Sequence, residues 1–190
     1  MISITKFPIN ITEYAKLRKA NVFPVKYGCK NCGYGGRLHR HGFYQRNAIT
    51  IFATYRIFIL RVKCPSCNKT YSVLPSFLIP YHQYTFEHIF LCLFYVYALR
   101  HSYLKIVSIF KDLNPNTMFS IANIYRFKKR MIRVAPIVNC FFANFVSLYF
   151  DMDKPTVSSI VSKIQFFIET KGDFNFTYSN KMPVYFFKKI

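Results

Sequence analysis

The chain has 190 residues, 52% of them hydrophobic. That suffices for one domain or two small ones with a real core, and it excludes a disordered polymer. Lys plus Arg number 27 against 7 Asp plus Glu, a formal net charge of +20, and a compact fold with that much self-repulsion is expected to seek a polyanion. The excess is uneven: residues 1–80 hold 13 basic and 1 acidic side chain, residues 81–150 hold 8 and 2, and residues 151–190 hold 6 and 4. No carboxylate occurs between Glu13 and Glu87.

In chain order, the N-terminus lacks a basic region followed by an apolar run and a small-residue cleavage site, so a cytoplasmic location is expected. The first chemistry-bearing motif is Cys29-Lys30-Asn31-Cys32, and its counterpart is Cys64-Pro65-Ser66-Cys67. Two such pairs suit a tetrahedral four-thiolate site, each pair turning tightly to offer two sulfurs to one ion. A structural Zn²⁺ is the expected cofactor, and four thiolates leave no coordination position for water. Two disulfides are the competing reading, disfavoured without an export signal. Cys92 and Cys140 fall in apolar stretches and read as plain buried cysteines.

Between the pairs, Leu38–Arg46 and Ile49–Lys63 are rich in β-branched and aromatic residues, with Asn47-Ala48 as a turn. Phe58, Leu60 and Val62 alternate with Ile57, Ile59, Arg61 and Lys63. With four cysteines completing the ligand set, His39 and His41 read as surface groups or as partners that support the ligands. Together with Arg40 and Arg46 they would put cations where phosphate contact is expected.

The run Cys-x-x-Cys-Gly, then Arg40-His41-Gly42-x-Tyr44-x-Arg46, then Arg61-x-Lys63-Cys64-Pro65-x-Cys67-x-Lys69-Thr70-Tyr71-Ser72, then Leu74-Pro75-x-Phe77 resembles the N-terminal zinc-binding region of insertion-sequence transposases. It more closely resembles a bacterial family of uncharacterised proteins that join such a zinc ribbon to a helix-turn-helix. The resemblance covers about residues 20–135. Lys30 stands where such ribbons often carry proline. The resemblance implies DNA binding in a mobile-element or regulatory setting, and does not imply transposition itself.

Leu74–Pro80 reads as an extended linker. Tyr84–Leu99 reads as a helix apolar nearly all round. Ser102 caps an expected helix Tyr103–Leu113, with Tyr103, Ile106, Val107 and Phe110 inward. After Asn114-Pro115-Asn116, a second helix is expected from Asn116 or Thr117 to about Val134, completing a helix-turn-helix outline. Ile121, Tyr125 and Ile132 share one face of it, while Asn123, Arg126, Arg130 and Arg133, with Lys129 beside them, share the face suited to a major groove. Pro136 is expected to end or kink that helix, and Ile137–Phe150 to form another apolar helix that covers the core or pairs with a second copy of the chain. A fresh helix start is expected at Asp153 and Pro155, with Val157, Ile160, Ile164 and Phe167 inward. Phe174–Phe187 alternates loosely and reads as a hairpin.

The fold class expected from sequence is therefore α+β: a small N-terminal β zinc ribbon (20–72), then an all-α helix-turn-helix bundle (81–135), then an extension of unassigned role (136–190). No transmembrane span is expected, since the longest strictly apolar run, Ile89–Leu99, is too short to cross a bilayer. No recognisable nuclease carboxylate set or nucleophile motif is present, so no catalysis is expected. The expected function is zinc-dependent duplex-DNA binding, with phosphate contacts from Arg37, Arg40, His41, Arg46, Arg56, Arg61 and Lys63 and base reading from the second helix. The alternatives are an RNA- or ribosome-binding module, a membrane-surface protein and a decayed transposase fragment.

Overall fold

The computed structural model describes residues 2–145 and 156–187. The chain divides into two compact units, one of Met1–Ala48 and Tyr55–Ser76, the other of Ile49–Thr54 and Phe77–Ile190.

The first unit is built on a four-stranded sheet of order β1-β4-β3-β2. Its strands are β1 (Ile2–Thr5), β2 (His39–Ile49), β3 (Thr54–Lys63) and β4 (Thr70–Pro75). β1 runs parallel to β4, with Ile2 opposite Ser72. β3 runs antiparallel to β4, with Leu60 opposite Val73. Between β1 and β2 lies helix α1 (Ile11–Leu17), whose start is a capping box. The Glu13 backbone N–H donates to Asn10 Oδ1 at 2.9 Å and Asn10 N–H donates back to Glu13 Oε2 at 3.2 Å. The rings of Phe7, Tyr14 and Phe23 meet edge to face. The buried Tyr14 hydroxyl donates to the Phe58 carbonyl at 2.9 Å, tying α1 to β3, and burial raises its pKa.

These features overturn the expectation of a small β ribbon followed by an all-α bundle. A ribbon leaning on its metal has little core of its own. Here β3 is inside the sheet, and Ile57, Phe58, Ile59, Leu60 and Val62 are buried on both of its faces. Residues ahead of 20, outside the expected ribbon, supply an edge strand and a helix. Leu74–Pro80 is no open linker: β4 ends at Pro75, and Leu78, Ile79 and Pro80 are buried. The hairpin turn also lies further on than Asn47-Ala48. The Thr50 hydroxyl accepts from the N–H groups of Phe52 and Ala53 and donates to the Ala53 carbonyl, a side-chain turn of the kind Ser and Thr supply.

The second unit is a cluster of helices: α2 (Phe86–Tyr97), α3 (Tyr103–Leu113), α4 (Ile121–Phe145), α5 (Val157–Lys171) and α6 (Phe174–Lys181). Thr85, Ser102, Thr156 and Asp173 each cap the helix they precede. Its centre is a set of aromatic and aliphatic side chains including Ile89, Phe110, Phe127, Met131, Phe141, Ile160 and Phe174. His88 is buried among them. Its Nδ1–H donates to the Thr50 carbonyl at 3.1 Å, and burial pushes its pKa down to about 4, so the ring is neutral.

Three features of α3 and α4 depart from the sequence reading or narrow it, for identifiable reasons. The α3–α4 connection is 114–120, longer than a helix-turn-helix turn, because Asn114, Thr117 and Phe119 are buried and hold the chain non-helical until Ser120. The apolar face grouped from sequence as Ile121, Tyr125 and Ile132 is not the covered one on α4: Tyr125 and Ile132 are 57% and 56% exposed, whereas Ile124, Phe127, Met131 and Val134 are buried. Of the two outcomes expected at Pro136, ending the helix or kinking it, the first is excluded, because Pro136 lies inside α4. Pro136 and Ile132 are both on the exposed side, so the carbonyl left without its N–H partner faces water, while Ala135, Val138, Phe141 and Phe142 anchor the inner side. Residues 146–150, the end of the expected helix Ile137–Phe150, and the Asp153 and Pro155 start signal lie outside the described residues.

The segment expected as a C-terminal hairpin is instead helix α6. Phe174 and Tyr178 are four residues apart, so both rings fall on one helical face, and both are buried. No helix among the described residues is long and apolar enough to cross a membrane.

Candidate metal centre

Cys29 and Cys64 open two turns of the same construction. In each, the cysteine carbonyl accepts the N–H four residues on, Gly33 at 2.9 Å and Asn68 at 3.0 Å. In each, the cysteine N–H donates to the carbonyl five residues on, Tyr34 at 2.7 Å and Lys69 at 2.9 Å. The fourth residue after the cysteine must take positive φ, +74° at Gly33 and +59° at Asn68. Glycine adopts that conformation freely and asparagine is among the few others that tolerate it. Each turn thus presents its two sulfurs on one side. Gly33 is evident from sequence as a turn residue, but Asn68 as its equivalent is not.

The four Sγ atoms of Cys29, Cys32, Cys64 and Cys67 lie within 4.8 Å of one another. Cys29 and Cys67 are 3.5 Å apart, and Cys32 and Cys64 are 3.8 Å apart. Sulfurs at the corners of a tetrahedron with ~2.3 Å bonds would sit about 3.8 Å apart. All four cysteines are free thiols, so the disulfide reading does not describe this fold. The cluster can hold one metal ion. Cys92 is buried, as expected of a core cysteine, but Cys140 is exposed.

A further contributor is Tyr71, on β4. Its hydroxyl lies 3.0 Å from Cys29 Sγ. That contact holds the Cys29 thiol down to about 6, while burial pushes the Cys64 thiol up to about 11. Burial first, then the Cys29 sulfur, raises Tyr71 to about 12, so Tyr71 stays protonated and is the donor. Asn31 Nδ2 donates to Cys67 Sγ at 3.6 Å. Such partners orient metal ligands, and losing one typically weakens metal binding 10- to 100-fold. We therefore expect Tyr71→Phe to weaken metal binding by about tenfold with little change in fold, as read by competition against a chromophoric chelator. An unchanged affinity would show that the hydroxyl has no such role. Within the sequence, Tyr71 is visible only as part of the stretch that follows Cys67.

The expected phosphate-contacting residues fall in the first unit but do not share one face. Arg37, Arg40, His41, Arg56 and Arg61 are exposed, and Lys63 is half-buried. Arg46 is half-buried too, and burial lowers its pKa. Arg56 and Arg61 differ in parity along β3 and so point to opposite faces of the sheet. Arg61 also donates to the Thr70 hydroxyl at 3.2 Å. On α4, Arg126, Lys129 and Arg133 are exposed, and Arg130 is half-buried and bonded to the His82 ring. Asn123 is turned inward: it is 6% exposed, donates to the Tyr84 hydroxyl at 2.6 Å and accepts from Ser120. It therefore serves the packing of the second unit in this structure.

The profile of a domain of unknown function, DUF6431, matches residues 29–96. The match opens on the first cysteine of the cluster, takes in all four, and ends inside α2. Comparison with curated proteins and with solved structures gives no match for this chain.

Proposed function

We propose that the chain is a non-catalytic DNA-binding protein whose first unit is pinned by one structural Zn²⁺ on Cys29, Cys32, Cys64 and Cys67. Zinc is the ion that four thiolates at tetrahedral spacing suit best. With its shell filled by sulfur, the ion has no position for water and acts by holding the chain.

The observation that carries the reading of a nucleic-acid partner is the charge. Residues 1–80 hold 13 cations and a single carboxylate, Glu13, and that carboxylate is engaged at the start of α1. A surface so depleted of acids attracts polyanions irrespective of sequence. Arg37, Arg40, His41, Arg56 and Arg61 are its exposed cations among the residues named from sequence; in the second unit Arg126, Lys129 and Arg133 are exposed on α4.

The test is a fluorescence-anisotropy titration of the zinc-loaded chain with duplex DNA, duplex RNA and single strands across a salt series. Duplex DNA is expected to bind tightest. Its log K should fall with log salt at a slope of about −0.9 per phosphate contacted, so ~6–10 contacts cost ~10³–10⁵ in affinity between about 50 and 200 mM salt. Stronger binding to RNA, or partition onto anionic vesicles without DNA binding, would overturn this reading in favour of an RNA module or a membrane-surface protein.

A further inference from the structure

Within the first unit, beside the cysteine cluster, a cavity of about 70 Å³ lies between β1, β3, β4 and the segment that leads into Cys29. A single water needs about 10–15 Å³ of such space, so the cavity has room for more than one water, or for one small anionic group. Leu38, Val62 and Tyr71 form a buried inner wall. Lys26, Tyr27 and Lys30 also line it, and Tyr27 is 68% exposed. Ser3 adds a hydroxyl from β1.

The two ammonium groups are the unusual feature. Lys26 is half-buried, and burial first, then the nearby Lys30 cation, pushes its pKa down. No carboxylate occurs between Glu13 and Glu87, and Glu13 is held in the α1 capping box. Lys26 is half-buried and Lys30 is exposed, and the four thiolates of the adjoining cluster supply negative charge of their own, so what the cavity offers an incoming anion is two ammonium groups with no carboxylate in its lining. A phosphate monoester carries about −1.5 to −2 at pH 7 and so matches two ammonium groups, whereas a backbone diester carries one charge. The exposed Tyr27 ring offers a face on which a base can stack. Inside a duplex each base has both faces covered, so the base that reaches Tyr27 must be terminal or unpaired.

We propose that this cavity is a binding site for a phosphorylated strand end, with Lys26 and Lys30 holding the terminal phosphate and Tyr27 stacking the adjoining base. The proposal rests on the nucleic-acid reading above and names the part of the strand that this unit takes.

The test is a ¹H–¹⁵N NMR titration of the full zinc-loaded chain at fixed ionic strength. The titrants are inorganic phosphate, thymidine monophosphate, and a short oligothymidylate with either a phosphate or a hydroxyl at its 5′ end. Saturable shifts are expected at Lys26, Tyr27, Gly28 and Lys30, with the phosphorylated oligomer bound about tenfold tighter than its hydroxyl form. Lys26→Ala should abolish that difference with zinc content unchanged, which separates phosphate binding from mere compensation of thiolate charge. Tyr27→Ala, at an exposed position, should weaken thymidine monophosphate by roughly tenfold, the scale of one stacking contact, and leave inorganic phosphate binding as it was. Equal affinity for the two oligomers, unsaturable shifts, or loss of zinc as the sole effect of Lys26→Ala would each overturn the site. Strand-end binding without duplex affinity would uphold the site and sink the duplex-DNA reading. Duplex affinity with a silent cavity would do the reverse.

Discussion

Stripping the metal, or replacing Cys64 and Cys67 together by serine, is expected to cost the first unit its order around residues 24–38 and most of its stability. Between Phe23 and Leu38 the sole buried side chain is Cys29, and apart from one isolated bridge, Tyr27 to Arg37, that stretch has no strand pairing. A few backbone hydrogen bonds and the Tyr71 contact to Cys29 aside, little besides a metal in the cysteine cluster could therefore hold it. Structural zinc supplies ~10–16 kcal/mol of apparent binding free energy in short peptides, and a small domain has a margin of only ~5–15 kcal/mol. The sheet does have its own core, through Ile4, Tyr14, Ile57, Ile59 and Val73, so the chain should not become a random coil. The readouts are amide dispersion at Gly28–Gly36 and a thermal melt with and without chelator. The aromatic core of the second unit should persist, with the His88 signals unchanged. A melt that does not move after the metal is shown to be gone would refute the view that the metal holds this unit.

Phe174→Ala should be the most damaging single substitution in the helical unit, at about 4–5 kcal/mol, the upper end for burying an alanine where a phenylalanine stood. Phe174 is fully buried. Its ring lies 5.4–6.0 Å from those of Phe86, Phe141, Phe142, Phe167, Tyr178 and Phe186, which come from α2, α4, α5, α6 and the chain beyond α6. Removing it leaves a void that rigid rings from different elements cannot all move to fill. Phe166→Ala is the control: that ring is 42% exposed on α5, and the loss should be under about 1 kcal/mol. Urea unfolding of the two variants compares them directly. Equal midpoints would show that the ring cluster contributes nothing beyond its area.

The C-terminal segment was harder to read than the cysteines for a physical reason. Phe174, Phe176 and Tyr178 alternate in sequence, which suits a strand, yet Phe174 and Tyr178 also stand one helical turn apart. Short apolar runs do not distinguish the two periods. The deciding facts are Asp173, whose carboxylate accepts the Phe176 N–H at 2.9 Å, and the ring cluster waiting on one side. On α4, Tyr125 and Ile132 look like core residues because they are large and apolar, but Ile124, Phe127 and Met131 compete at the same spacing. Only the position of α2 and α3 decides which stripe is covered.

What the sequence by itself determined is the local chemistry. The two Cys-x-x-Cys pairs and the Ser102 cap of Tyr103–Leu113 are each set within a few residues, and each is found as read. What only the tertiary structure decided is everything that joins distant residues. β1 beside β4, Tyr14 on Phe58, Tyr71 on Cys29 and Asn123 on Tyr84 are separated by 39 to about 70 positions in the chain. Pairings at such range leave no periodic mark on either partner. They follow from which buried faces and which unsatisfied polar groups can be brought together once the whole chain is compact.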